Sequence, residues 1–194
     1  MVCGKLTFIS GGVRSGKSAY AEKILVDEAA ANGGRLVYIA SGTATDLEME
    51  KRIKQHQMDR SEFNWTTLEQ PINLEEVLPQ VQPDDLVLWD CLTTWLANEL
   101  YVGWEKGTPC IAQVGCMEKK VEQLHKTIEL ILATASQLII VSNEVLDDIP
   151  PTDKETEAYR QWIGEIHQQL ITRAQTAIEM ECSIPIYWKK EDVR

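Results

Sequence analysis

The sequence predicts an α/β protein built on a mostly parallel sheet with helices on both faces. Three observations carry this. Short apolar runs alternate with helical stretches along the chain, the pattern of crossover connections between buried parallel strands. The apolar runs end on Gly11-Gly12, Ala40-Ser41, Glu69, Asp90 and Asn143-Glu144, at the C-terminal strand ends where such sheets gather ligands. The stretch GGVRSGKS (11–18) sits between the first strand-like run and the first helical run.

The elements follow in order. KLTFIS (5–10) is a β-rich run stopped by two glycines. SAYAEKILVDEAAA (18–31) is helical, and Asn32-Gly33-Gly34 supplies the left-handed residues that end it. RLVYIAS (35–41) reads as a buried strand. TDLEMEKRIKQHQMD (45–59) reads as a helix, with Thr45 or Asp46 as its N-cap and Glu48 in its first turn. FNWTTLE (63–69) is strand-like, NLEEVLPQ (73–80) a short helix, and DLVLWD (85–90) a buried strand. CLTTWLANELYV (91–102) is helical and GWEKGTPC (103–110) a turn-rich loop. A long amphipathic helix lies within 113–135, and QLIIVSNE (137–144) is a strand. DDIPPTDK (147–154) breaks the chain before a helix over 155–175. TAIEMEC (176–182) and IPIYWK (184–189) are two short strands.

The 194 residues, 44% of them hydrophobic, suit one domain over 1–194 with a substantial core. The formal net charge of -11 argues against nonspecific nucleic-acid binding, so no nucleic-acid partner is expected. An anionic ligand must then be held by a local cluster of donors. The five cysteines show no CxxC spacing, and reduced thiols are expected. The apolar run in MVCGKLTFISGG is too short for a signal peptide, and no run approaches the roughly 18 residues of a membrane span. A soluble, cytoplasmic protein is the expectation.

GGVRSGKS matches the phosphate-loop pattern GxxxxGKS. Its members are Gly11, Gly12, Val13, Arg14, Ser15, Gly16, Lys17 and Ser18. Glycines let successive backbone N–H groups curl round phosphate oxygens, and the helix N-terminus adds its dipole. Lys17 is placed for the β- and γ-phosphates and the Ser18 hydroxyl for Mg²⁺. A chance match in a chain of this length is on the order of 1%. Asp90, at the tip of a buried strand, has two readings: a second Mg²⁺ anchor through water, and the N-cap of the helix that follows.

Glu48, Arg52, His56 and Arg60 follow i, i+4 spacing and form one polar stripe beside Met49 and Ile53. From spacing alone, a solvated stripe with Glu48–Arg52 pairing is the favoured reading. The chemical alternative is that the two arginines attract a triphosphate and keep His56 neutral and nucleophilic. A neutral imidazole can attack phosphorus and form a phosphoramidate.

Together these residues resemble a known family. GGVRSGKSAYAE (11–22), YIAS (38–41), EMEKRIKQHQMDR (48–60), WTTLE (65–69), DCLTTWLAN (90–98) and VSNEV (141–145) match, in order and spacing, the bifunctional adenosylcobinamide kinase / adenosylcobinamide-phosphate guanylyltransferases of cobalamin biosynthesis. The resemblance implies a P-loop NTPase fold of RecA type and a homotrimer. It implies phosphorylation of adenosylcobinamide by ATP or GTP. GMP transfer from GTP through a guanylylated histidine follows, giving adenosylcobinamide-GDP. That histidine falls on His56. The nucleotide contacts fall on 11–18, on Ala40, Ser41 and Gly42, on Gln57, Met58, Asp59 and Arg60, on Glu69 and on Asp90. The alternatives are a small-molecule kinase without guanylyl transfer and a RecA-like regulatory nucleotide-binding module.

The last third departs from the family pattern. Leu146 and Asp148 stand at two usual glycines, Glu157 at a usual arginine with Arg160 kept, and His167-Gln168 at a usual Asn-Gln. His125, among Leu124, Ile128 and Leu132, is expected to be structural, and His167 to be a solvated helix position. Trp95 and Trp104 are expected in the core, with a corrinoid surface or a subunit interface as the alternative.

Overall fold

A computed structural model describes residues 4–42, 63–147 and 152–190. Seven strands form one sheet: β1 (Lys5–Gly11), β2 (Leu36–Ala40), β3 (Thr66–Glu69), β4 (Leu86–Asp90), β5 (Gln137–Asn143), β6 (Thr176–Glu181) and β7 (Ile184–Lys189). Their order across the sheet is β3-β2-β4-β5-β1-β6-β7. Every pair is parallel except β6–β7. The alternating pattern therefore gives the expected mostly parallel sheet. The expected helix over 45–59 lies outside the described residues.

Four α-helices cover the sheet: α1 (Lys17–Asn32), α2 (Leu92–Tyr101), α3 (Cys116–Thr134) and α4 (Lys154–Arg173). The strand pleat divides the apolar residues between two faces. Leu6, Phe8, Val37, Ile39, Trp89 and Ile140 pack with α2, α3 and α4. Ile9, Tyr38, Leu88, Ile139, Val141 and Ile178 pack with Ala21 and Leu25 of α1. The segment 74–80 is a 3-10 helix with Pro79 inside it. A ring that offers no N–H suits such a short, tight helix better than a continuing α-helix. α1 ends as the sequence requires, with Gly33 at φ 81.

Three expectations are corrected. Cys110 and Cys116 are joined in a disulfide, with Cα atoms 5.5 Å apart. The loop after α2 folds back, so that the Cys110 N–H donates to the carbonyl of Val102. Among the described residues, Cys91 (buried) and Cys182 (exposed) are free. Trp104 is 59% exposed and stacks edge-on against Tyr101, whereas Trp95 is buried as expected.

His167 is only 5% exposed, because α4 turns it inward with Ile163, Ile166 and Leu170. It meets the Phe8 ring edge-on, and its Nε2 lies 2.7 Å from the Ser142 hydroxyl. Burial pushes its pKa down to about 4 from an ordinary 6.5. Protons therefore favour the unfolded chain once the pH falls below about 6.5, and the loss grows until about pH 4. The gap corresponds to roughly 3 kcal/mol at full extent. His167→Asn is expected to flatten that part of the stability–pH curve, measured by denaturant unfolding from pH 7 to pH 4. An unchanged slope would refute the assignment.

The β6–β7 hairpin supports the site directly. Glu181 pairs with Ile184, which leaves Cys182 and Ser183 as a two-residue turn. Both have positive φ, 49° and 66°. That sign pattern belongs to a type I′ turn, which favours Asn-Gly and costs other residues about 1–2 kcal/mol each. Replacing Cys182 by Asn together with Ser183 by Gly is expected to raise the melting temperature by at least about 4 °C. A melting curve that stays put or drops counts against this reading of the turn.

A phosphate loop on the C-terminal edge of the sheet

The candidate site is built along one line of strand ends. In register, Ala40 pairs with Glu69 on one side and with Asp90 on the other. Gly11 pairs with Asn143 and with Met180. The polar strand ends picked out in the sequence thus share one edge.

The loop 11–18 leaves β1 and enters α1 without a side-chain cap. Gly16, at φ 87, is the N-cap residue, and it has no side chain with which to cap the first N–H groups of the helix. Arg14 is also left-handed, at φ 61. Gly11 has no room for a side chain: a Cβ there would lie 2.5 Å from the Met180 carbonyl oxygen. The turn of the β6–β7 hairpin braces the loop from behind, where the Ser183 N–H donates to the Ser15 carbonyl at 3.0 Å. On the other side, the Glu144 N–H donates to the Gly11 carbonyl at 2.9 Å.

Within this cradle Lys17 is 7% exposed, and its Nζ donates to the Gly12 carbonyl at 3.0 Å. Ser15 is equally buried, and its hydroxyl has no hydrogen-bond partner among the described residues. A buried hydroxyl left without a partner costs about 1–3 kcal/mol. A phosphate oxygen would satisfy it, together with the uncapped helix N–H groups. Ser18 is half-buried and Val13 is exposed.

Asp90 is not the N-cap of α2. Cys91 holds that position, without a side-chain cap, and one Asp90 carboxylate oxygen accepts from the Tyr38 hydroxyl at 2.9 Å. The capping reading is therefore set aside. The described residues hold no cluster of three or more His, Cys, Asp or Glu able to bind a metal alone. Mg²⁺ suits such a poor set, since it commonly relies on one or two side chains and the substrate's own phosphates. Ser18 and Asp90 are residues of the right chemistry for that.

Ala40 is half-buried, while Gly42 and Glu69 are exposed. Ser41 is fully buried, and its polar groups are engaged. Its N–H donates to the Asp90 carbonyl, and its hydroxyl accepts from Trp89 Nε1 at 2.7 Å. Of Ser41, then, the hydroxyl is already committed to the core. His56, Gln57, Met58, Asp59 and Arg60 lie outside the described residues.

Several residues at this edge escape sequence reasoning. Thr93 Oγ1 accepts from Asn143 Nδ2 at 2.8 Å, and its carbonyl accepts from the Tyr159 hydroxyl. α4 is thereby tied to the β4 and β5 ends. Arg160 donates to the Leu146 carbonyl at 2.8 Å and approaches Glu157, so two departures from the family pattern meet at one arginine. Asn98 donates to both Ser41 and Pro71. Periodicity could place these residues on helices but not name their long-range partners.

A seven-stranded, largely parallel sheet with a phosphate loop after its first strand defines a P-loop nucleotide-binding protein of RecA type. In agreement, the fold resembles the crystal structure of a KaiC-like protein from the hyperthermophilic archaeon Pyrococcus horikoshii. The TM-score is 0.51 at 13% identity, over 99% of this chain and 82% of that one. Residues 7–187 match the family described as cobinamide kinase / cobinamide phosphate guanyltransferase, and the chain belongs to that family. It is 31% identical to the bifunctional adenosylcobalamin biosynthesis protein CobP of Pseudomonas aeruginosa, over 94% of this chain and 96% of that protein. It is 29% identical to the bifunctional adenosylcobalamin biosynthesis protein CobU of Escherichia coli, over 87% and 91%. None of the described helices is long and apolar enough to cross a membrane.

Proposed function

We propose that this chain carries both activities named by its family, in one domain and around one phosphate loop. The observation that carries the reading is the buried Ser15 hydroxyl beside Lys17, without a partner among the described residues, in a chain that matches the family over 7–187. In the kinase step, a hydroxyl oxygen of the corrinoid's aminopropanol arm attacks the γ-phosphorus of ATP or GTP. The bond to the bridging oxygen breaks, the nucleoside diphosphate leaves and the hydroxyl proton passes to solvent. Lys17 and the N–H groups of 11–18 carry the charge on the phosphate oxygens. Ser18 and Asp90 would hold Mg²⁺, which would supply positive charge against the phosphate oxygens.

In the second step, a ring nitrogen of His56 attacks the α-phosphorus of GTP and pyrophosphate leaves. A phosphate oxygen of adenosylcobinamide phosphate then displaces the histidine, giving adenosylcobinamide-GDP. Ala40, Gly42 and Glu69 stand on the same edge as contacts for the rest of the nucleotide, with Gln57 to Arg60 completing them. The partner is a corrinoid and the assembly a homotrimer. Incubation with adenosylcobinamide and GTP, followed by chromatography of the corrinoids, tests the reading. The expected product is adenosylcobinamide-GDP with release of pyrophosphate. Accumulation of the phosphate alone would reduce the reading to a kinase, and no conversion with either nucleotide would reject it.

A further inference from the structure

Two backbone segments on the β2–β3 side of the site converge on a single side-chain nitrogen. Asn98 Nδ2 donates to the Ser41 carbonyl at 3.0 Å and to the Pro71 carbonyl at 3.0 Å. Ser41 follows β2 directly, and Pro71 lies two residues beyond the end of β3. The last ladder bond between these strands is Gln70 N–H to the Ala40 carbonyl at 2.8 Å. Beyond it the segments part, since the Ser41 N–H turns to the Asp90 carbonyl. Past that point, Asn98 is the partner that 41 and 71 share.

We infer that Asn98 is a positioning residue that sets the spacing between 40–42 and 69–71, and so shapes the subsite for the nucleoside end of the nucleotide. This rests on the reading that Ala40, Gly42 and Glu69 contact the nucleotide. Two carbonyl oxygens that point at one place repel each other unless a donor stands between them, and an amide –NH₂ has one hydrogen for each. α2 is anchored to do this. Its Trp95 is buried in the core, and Glu99, wholly buried, accepts from the Asn73 N–H at 2.6 Å and pairs with Lys120 at 2.8 Å. Asn73 closes the same turn that carries Pro71. The side chain of Asn98 therefore approaches from a rigid helix, and the phosphate loop takes no part in the arrangement.

That separation gives the test. GTP needs both the phosphate loop and the nucleoside subsite, whereas inorganic tripolyphosphate needs only the loop. Affinities for both are measured by calorimetric titration for the wild type and for Asn98→Asp, which keeps the shape and loses the donor. GTP is expected to weaken about tenfold or more, while tripolyphosphate changes by less than about twofold. A GTP loss that exceeds the tripolyphosphate loss by less than about threefold overturns the inference. Asn98→Ser, whose single hydroxyl cannot serve both carbonyls, is read by the same ratio if Asn98→Asp does not fold. A wild type that binds GTP no better than tripolyphosphate defeats the functional reading and this inference with it. A wild type that prefers GTP, with variants that keep the preference, defeats the inference alone.

Discussion

Lys17→Ala is expected to slow phosphoryl transfer and guanylyl transfer alike, each by about 10³-fold. On the proposed function, both reactions build negative charge on phosphate oxygens in the same cradle. Lys17 is the cation buried there, with its Nζ 3.0 Å from the Gly12 carbonyl. Its position in the first turn of α1 follows from Gly16 as N-cap, so the charge and the helix dipole act on the same oxygens. The loss should appear in kcat as well as in nucleotide affinity, because the charge grows towards the transition state. Single-turnover rates for both half-reactions measure it, with the melting temperature as the control for folding. A loss below about tenfold in both would mean that the loop holds no transferring phosphate.

His56→Ala should divide the two activities. With α-labelled GTP the wild type is expected to take up acid-labile, base-stable label, as a phosphoramidate does, and the variant none. Its phosphoryl transfer should remain within about threefold, because the kinase step has no nucleophile on the protein. The motivation lies in the sequence, where Arg52 and Arg60 stand four residues either side of His56. Label that persists in the variant would remove His56 from the mechanism. A kinase rate that collapses together with the label would make it part of a shared binding surface instead.

The fold was legible where a local pattern has one cheap solution. GGVRSGKS between a strand and a helix fixes a phosphate loop because only glycine tolerates the approach of Met180 to Gly11. The apolar runs 36–40 and 86–90 read as buried strands because both of their faces are covered. Pairings set by distance were not legible. Nothing in a separation of six residues says that the loop before α3 folds back and joins Cys110 to Cys116. The Asn98 bridge depends on where β2 and β3 end, which tertiary packing decides. His167 was legible in principle: with Ile163 and Leu170 it falls on one stripe of α4. Its polar character argued for solvent, and Ser142 supplied the buried partner that reverses the argument.

The position of β1 has a consequence for the order of events during synthesis. This strand pairs with β5 and β6, residues 137–143 and 176–181, and the turn at Ser183 closes on Ser15. A ribosome that has released the first hundred residues has released the whole phosphate-loop sequence and none of its flanking strands. At about 5–20 residues per second, the wait for them is on the order of ten seconds. The nucleotide cradle is made before the strands that flank it and acquires its shape only with them. An emerging chain therefore has no competent loop with which to sequester a nucleotide, and ligand capture can begin only after the second half of the sheet has come together.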